Sequence, residues 1–490
     1  MATLTLRQAH HLAVQRHQAG DLAAAFLMYE QILRAQPDHA DTLNMLALLE
    51  SQRGNLPRAL DLIDRAIAID PSQAAYRGTQ GVILSRMNRL DESIAAYGAA
   101  VSLQPNLFQA YNNLGNVLRQ RGMLAEAIDV YERSIAVESN QPQIYFNLGF
   151  ALQEAARPQE AISCFERAET LLSANPQAAA EARLQLGLLH LQRGDFERGL
   201  HLYESRRDVL GFPVRRDFPQ PLWDGSDLSG KTILLHAEQG IGDTIQFFRY
   251  VPPVCDRGAK VILLVPASLK RLMAAQNVCE VFDESDRLPT FDVQCPLGSL
   301  PHRFATRLDS IPATTPYLNA PTSLARDWNA RLAQSAGTLK VGLVWSGNPR
   351  HQQNHLRSLP PAELTPLKGV EGVQFFSLQK DAPESARPDL QMIDWTSELR
   401  DFADTAALIA GLDLVIAVDT AVAHLAGALG KPTWLLLSEP AEWRWLLTRE
   451  DSPWYPTMRL FRQSKPGDWA TVIERVAVEL RALTDSSAKE

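Results

Sequence analysis

Two stretches of this sequence place acidic and hydroxyl side chains where an apolar run gives way to a helix start rich in small residues. The first is Glu238-Gln239-Gly240-Ile241-Gly242-Asp243-Thr244, after the run Lys231 to His236. The second is Asp419-Thr420-Ala421-Val422-Ala423-His424, after Leu414 to Val418. A strand that opens directly into a helix leaves the first backbone N–H groups unpaired. With the positive end of the helix dipole they form an anion site at the carboxyl edge of a sheet. Gly240 and Gly242 let the backbone approach a ligand. Asp243 is either a helix N-cap or a carboxylate able to take a proton from an acceptor hydroxyl. The dinucleotide fingerprint is incomplete, because Ile245 stands where its third glycine belongs.

Further candidates follow in the second stretch's neighbourhood. Leu343-Val344-Trp345-Ser346-Gly347-Asn348 is again a strand running into a small-residue turn, and Arg350, His351, His355 and Arg357 come after it. These read as a phosphate clamp, with Arg357 able to bind two oxygens at once, or as a solvated basic loop. Gln379 and Lys380 end another strand, at the edge where ligands of open α/β sheets bind. Glu439 to Arg444, with Trp443 and Trp445 nearby, could flank a base or a sugar. The chain has no Asp-x-Asp triplet to hold a divalent metal on a diphosphate, so no metal site is expected.

The elements that must position these residues alternate between strand and helix. Strands are predicted at Lys231–His236, Lys260–Val265, Val278–Phe282, Leu339–Trp345, Val373–Leu378, Leu414–Val418 and Thr433–Leu437. Helices are predicted at Ile245–Val254, Thr322–Gln334 and Asp468–Leu483. This is the pattern of a doubly wound sheet, here as two Rossmann-like halves, 231–335 and 336–485, facing each other across a cleft. Residues 214–230 read as a linker, with Pro219 and Pro221 among them, and Phe218 and Trp223 suggest that it packs against the domain.

Before the linker the period changes. Pro37, Pro71 and Pro105 are 34 residues apart, and Ala13, Ala47, Gly81, Gly115 and Gly149 keep the same step. Large residues answer them at Tyr29, Ile63, Tyr97, Tyr131, Phe165 and, slightly displaced with Gly187, Tyr203. Small residues let two antiparallel helices approach, a large one fills the gap, and proline ends the second helix. Residues 1–213 therefore read as an all-α superhelical array of about six helix pairs. Asn113 and Asn147 hold equivalent positions on its inner helices and could bond the backbone of a bound peptide, or belong to a solvated polar face. With separate cores expected for array and cleft, deleting residues 1 to about 205 should leave the second half's site intact.

Composition sets the remaining bounds. With 490 residues the chain can hold two or three cores, and a net charge of −8 gives no reason to expect nucleic-acid or membrane-surface binding. Cys164, Cys255, Cys279 and Cys295 have neither metal-like nor disulfide-like spacing. Met1 to Gln18 lacks the apolar core of a signal peptide, and no apolar run is long enough for a membrane span. The expected compartment is the cytoplasm.

The first half resembles tetratricopeptide repeats, and residues from about 230 to 480 resemble the bacterial heptosyltransferases of glycosyltransferase B fold. Gly242-Asp243 is similar to that family's Gly-Asp motif, whose aspartate is the proposed general base. Arg357, in Arg357-Ser358-Leu359-Pro360, falls where the family has a lysine that contacts donor phosphate. Asp419-Thr420-Ala421-Val422-Ala423-His424-Leu425-Ala426 resembles its donor-binding turn, with Ala421 in place of the usual glycine. The resemblance implies an inverting, metal-independent glycosyltransferase. Asp243 would be its base, and Gly240, Gly242, Arg357, Gln379, Lys380, Asp419, Thr420, Ala421 and His424 would lie around the donor. A nucleotide-diphosphate sugar is the implied co-substrate, with no other cofactor. A protein or peptide held on the repeats, through Asn113 and Asn147, is the expected acceptor. The rivals are a lipid-linked or polysaccharide acceptor, and a scaffold whose transferase domain is inactive.

Overall fold

A computed structural model describes residues 5–209, 218–335, 339–349, 354–380, 387–439 and 441–487. The chain divides into two compact units, Met1–Arg183 and Leu184–Glu490. The first is built from five antiparallel helix pairs: Leu6–Gln18 with Leu22–Ala35, Ala40–Gln52 with Leu56–Ile69, Ala74–Arg86 with Leu90–Leu103, Phe108–Gln120 with Leu124–Val137, and Pro142–Glu154 with Pro158–Leu171. The small-to-large rule is steric. A Cβ added to Gly81 would lie 2.8 Å from the Tyr97 ring, and one on Gly149 would lie 2.7 Å from Phe165. Each pair turns through a left-handed residue, and in the fifth it is Ala156 (φ 55°), where the sequence offers no glycine.

A sixth pair, Ala180–Gln192 with Phe196–Tyr203, ends the repeat pattern. Its second helix lies wholly within the second unit, so the boundary between compact units falls before the change in sequence period, not at residue 213. The reason is packing. Leu184, Leu191, Phe196, Leu200 and Tyr203 share one buried core with Ile233, Leu263, Trp443 and Trp454. Phe196 stacks on Trp454 with ring centroids 5.9 Å apart. The expectation of separate cores, with a harmless cut near residue 205, is therefore corrected. Within the stretch read as a linker, Phe218 packs edge-on against His236 and Phe291. Trp223 is buried, and its N–H donates to the Gln294 carbonyl (2.8 Å).

The second unit contains two parallel sheets. The strands are β1 (Thr232–His236), β2 (Lys260–Leu264), β3 (Glu280–Phe282), β4 (Val293–Pro296), β5 (Leu339–Val344), β6 (Val373–Ser377), β7 (Met392–Asp394), β8 (Leu414–Val418), β9 (Thr433–Leu437) and β10 (Met458–Arg462). Their orders are β3-β2-β1-β4 and β10-β9-β8-β5-β6-β7. In each, the chain reverses direction of travel beside the first strand, between β1 and β4 and between β5 and β8. A crevice opens there at the carboxyl ends, where open α/β sheets bind ligands. The register pairs His236 with Pro296 and Val344 with Ala417, so the segments after β1, β4, β5 and β8 emerge at the mouths of these crevices.

Two expectations about helices change. The helix after β1 begins at Ile241, not Ile245, and gives way at Phe248–Tyr250 to a tighter turn before Val251–Cys255, where Pro252 and Pro253 supply no N–H. The last helix, Trp469–Ser487, packs its Trp469, Val472, Ile473, Val476 and Leu480 onto the outer face of the second sheet. No helix among the described residues is long and apolar enough to cross a membrane.

Candidate functional site

The starts of two helices meet at the crevices. Ile241–Phe247 follows β1 and Ala421–Ala428 follows β8. A Cβ added to Gly242 would lie 2.8 Å from His424 Cδ2 and 3.5 Å from the Ala421 Cα, so the approach requires glycine at 242. Gly240 is the N-cap of its helix, and its N–H donates to Asp243 Oδ2 (2.9 Å). Asp243 thus sits in the helix's first turn and not at the N-cap, and it remains half-buried. Its other oxygen accepts from the Arg444 guanidinium, which comes from the other Rossmann half.

Arg444 is the residue on which the cluster converges. It is buried, and it also donates to Gln246 Oε1 and Glu442 Oε1. Burial works against its charge, but Glu442 and Asp243, then Tyr203 and Asp419, outweigh that and raise its pKa. Partial burial raises the pKa of the Glu442 carboxyl, with Arg444 opposing and Asp419 and Asp243 adding to the shift. The Glu442 side chain keeps 37% exposure, so it is the carboxylate of this group most open to solvent.

Asp419 ends β8. Its Oδ2 accepts from Trp445 Nε1 (3.0 Å), and burial raises its pKa against the Trp445 N–H and the charges of Arg357 and Arg444. His424 shares a hydrogen bond with the Tyr455 hydroxyl (2.9 Å) and lies under Trp445, with ring centroids 5.3 Å apart. Burial, then the charges of Arg444, Arg249 and Arg357, hold its pKa far down. The imidazole is therefore neutral, and its 3.9 Å separation from Asp419 is not an ion pair. Thr420 is the N-cap of Ala421–Ala428, yet its side chain makes no capping bond and its buried Oγ1 has no partner among the described residues. Arg357 Nε is likewise buried and unpartnered, against Gly347, whose added Cβ would lie 2.8 Å from it. A hydroxyl at a helix start without a partner among the described residues, with the Arg357 guanidinium acting on the neighbouring Asp419, makes a site suited to an anion.

Not every candidate joins this cluster. Gln379 accepts from the Ser346 N–H (2.8 Å), bracing the turn after β5, and it lines a cavity of about 110 Å³ with Trp345, Ser377 and Asp394. The Lys380 ammonium is bound to the Leu399 carbonyl (2.8 Å). Arg350 and His351 lie outside the described residues, as does the side chain of His355. In the repeats, Asn147 donates to Asn112 (2.8 Å) and accepts from Gln143 (3.2 Å), while Asn113 is hydrogen-bonded with Tyr97. Beside them a cavity of about 490 Å³ is lined by Gln143, Phe146, Phe150, Leu172 and Glu181. Sequence reasoning missed the role of Arg444 as the centre, together with Gln246, Tyr203, Arg206 and Glu238. The one available signal was Trp443-Arg444-Trp445 itself, a cation between two indoles just after a buried strand.

The fold and site define a tetratricopeptide-type repeat array followed by a heptosyltransferase-like region. Tetratricopeptide repeat models match residues 16–83, 81–118, 115–155 and 142–171. The glycosyltransferase family 9 (heptosyltransferase) model matches residues 399–443, which contain Asp419, Thr420, Ala421 and His424. Among individual proteins, the chain is similar to Protein FlbA of Caulobacter vibrioides, 26% identical over 341 residues. That match covers 63% of this chain and 56% of FlbA, so the chain spans little more than half of that relative's length. Solved structures similar to part of this chain include MamA, at 23% identity and TM-score 0.31 over 33% of this chain and 95% of MamA. Another is PilW, described as a type IV pilus biogenesis factor, at 19% identity and TM-score 0.37 over 42% of this chain and 92% of PilW.

Proposed function

We propose that this chain is an inverting, metal-independent glycosyltransferase that moves a sugar from a nucleotide-diphosphate sugar to an acceptor hydroxyl on a protein held by the repeats. The observation that carries the reading is the meeting of the Gly242-Asp243 helix start with the Thr420-Ala421 helix start, together with Thr420 Oγ1 and Arg357 Nε, which have no partner among the described residues. The acceptor hydroxyl gives its proton to Asp243 as its oxygen attacks the anomeric carbon. The bond from that carbon to the diphosphate breaks, and the electron pair leaves with the nucleoside diphosphate. Arg357 and the first N–H groups of Ala421–Ala428 take up the charge that develops there.

In this reading Gly242 lets the two helix starts close on each other, Gly240 holds Asp243 through its N–H, and Gln379 fixes the turn against which Arg357 packs. Asp419 faces sugar hydroxyls, and Lys380 lies on the donor side. His424, neutral and closed in by Tyr455 and Trp445, supports the donor turn from beneath. Asn113 and Asn147 contact the acceptor backbone once their amides exchange the partners they hold within the array. Metal independence is proposed from the missing Asp-x-Asp triplet and from the positive charge that Arg357 and the helix start supply.

The test is donor hydrolysis and transfer across a panel of nucleotide sugars, with and without EDTA. Turnover that survives chelation is the expected result. Turnover lost on chelation and restored by Mg²⁺ or Mn²⁺ would show the phosphate contacts to be misassigned. Binding of no nucleoside diphosphate at all would sink the transferase reading.

A further inference from the structure

We infer that the end of the last repeat pair is a positioning element of the transferase site, in which Tyr203 and Arg206 hold the Glu238-Gln239-Gly240 turn that anchors Asp243. This deepens the transferase reading and rests on it for the role of Asp243. At the equivalent position of an earlier repeat, the Tyr131 hydroxyl donates to Asn116, inside the array. The Tyr203 hydroxyl instead meets both ends of the Gln239 side-chain amide, Oε1 at 3.0 Å and Nε2 at 2.7 Å. A residue type set by the repeat pattern has thus been turned to the turn after β1.

Arg206 follows in the short helical turn Glu204–Asp208 and is fully buried. Its Nε and NH2 donate to Glu238 Oε1 (3.1 and 2.6 Å), NH2 also to Ser299 Oγ (2.8 Å), and NH1 to Glu204 Oε1 (2.8 Å). The guanidinium lies 4.5 Å from the centre of the Tyr203 ring. Arg303 completes the group by donating to Glu204 Oε2 (3.1 Å), so two guanidinium groups face two carboxylates. Gly298, after β4, leaves the space they need: a Cβ there would lie 2.5 Å from Glu238 Oε1 and 3.3 Å from Arg206 NH2. The network therefore sits between the ends of β1 and β4, in the crevice itself.

A buried, fully bonded guanidinium tolerates little displacement, because any shift leaves charge without a partner. It fixes Glu238, and Tyr203 fixes Gln239. The next residue, Gly240, supplies the N–H that holds Asp243 Oδ2. Asp243 thus has one anchor that traces back to the repeat end and a second in Arg444.

The experiment uses the full-length chain. Tyr203→Phe keeps the ring in place against Trp443 and removes only the hydroxyl. The expected result is a kcat lowered about tenfold, consistent with the large cost of small misplacements. Melting temperature, donor KM and the affinity for UDP, GDP or ADP should be unchanged, while amide hydrogen exchange at residues 240–243 speeds up. Arg206→Lys should lower kcat further, and Tyr203→Phe decides the matter if that protein does not fold. An unchanged kcat in Tyr203→Phe, or a kcat, donor affinity and melting temperature that fall together, would overturn the proposal. If the wild-type chain neither binds these nucleotides nor transfers sugar, the transferase reading fails. Hydrogen exchange still judges the positioning in that case, and unchanged exchange at residues 240–243 in Tyr203→Phe would overturn it as well.

Discussion

The Arg444 guanidinium bonds Asp243 from across the two Rossmann halves while holding Glu442 on its own side. One cation thereby sets the separation of a half-buried carboxylate and a more exposed one. Because Arg444 is itself buried, its removal takes a shared partner from Asp243, Glu442 and Gln246 in a partly buried site. Breaking a buried pair in this way costs roughly 3–5 kcal/mol.

Arg444→Met should therefore lower the melting temperature and abolish measurable transfer. Arg444→Lys keeps the charge but not the planar fork, so it should restore part of the stability and little of the turnover. Thermal melts and transfer rates on the two variants check this. Equal turnover in Arg444→Lys and wild type would show that geometry at this guanidinium is unimportant.

Asp243 and Arg357 should divide chemistry from binding. Asp243→Ala is expected to lower turnover by about 10²–10⁴-fold with donor binding nearly intact, the usual range for a positioned acid or base. Arg357→Ala removes a charge-assisted contact of about 1.5–3 kcal/mol, which corresponds to roughly 10–100-fold weaker nucleoside-diphosphate binding. Calorimetric titration with turnover on the same proteins decides it. An equal loss of donor affinity in both would refute the division.

How much of this was legible in the sequence depends on what each signal needs. β8 and β9 fall at their expected bounds, because Leu414–Val418 and Thr433–Leu437 are buried on both faces and read as continuous apolar runs. β4, β7 and β10 gave no such signal: Gln294 and Pro296 interrupt the first, the second has three residues, and Arg459 and Arg462 break the third. The helix start at Ile241 was hidden because Gly242, Asp243 and Thr244 are poor helix interiors but acceptable in a first turn. Candidate residues at strand ends and helix starts could be named because these are local patterns. Partners such as Arg444 for Asp243, or Arg206 for Glu238, could not, because their meeting depends on tertiary packing.

The stability that the buried histidines contribute should fall below neutrality. His424 is held well below its ordinary pKa of 6.5, chiefly by burial, and His10, His190 and His302 are shifted the same way. At these four histidines the unfolded chain binds more protons than the folded one as pH drops through about 6.5, so their contribution is complete above that value and is lost below it, while the raised carboxyls of Glu442 and Asp419 act in the opposite direction. Between about pH 7.5 and 5.5 the melting temperature of wild type should fall relative to that of His424→Asn, whose profile lacks this histidine's share of the acid-side loss. Parallel slopes for the two proteins would show that His424 does not carry the effect.

The last prediction concerns where the chain can be cut. A protein beginning at Leu184 keeps nine of the thirteen residues of the Ala180–Gln192 helix and the whole of Phe196–Tyr203. One beginning at Arg206 loses Leu184, Leu191, Phe196, Leu200 and Tyr203 from a core they share with Trp443 and Trp454. Truncating even one large buried side chain costs about 2–5 kcal/mol, and a whole domain is stable by only about 5–15 kcal/mol. Loss of five such residues exceeds what the second unit can absorb. The longer protein should melt cooperatively and bind nucleoside diphosphate, but fail to modify a protein acceptor that needs the repeats. The shorter one should show no cooperative transition and no binding. Circular dichroism melts and calorimetry on the pair check this. A chain from Arg206 that folds and binds nucleotide would show that the last helix pair is dispensable to the core. A chain from Leu184 that modifies its acceptor as well as the full-length protein would refute the role given to the repeats.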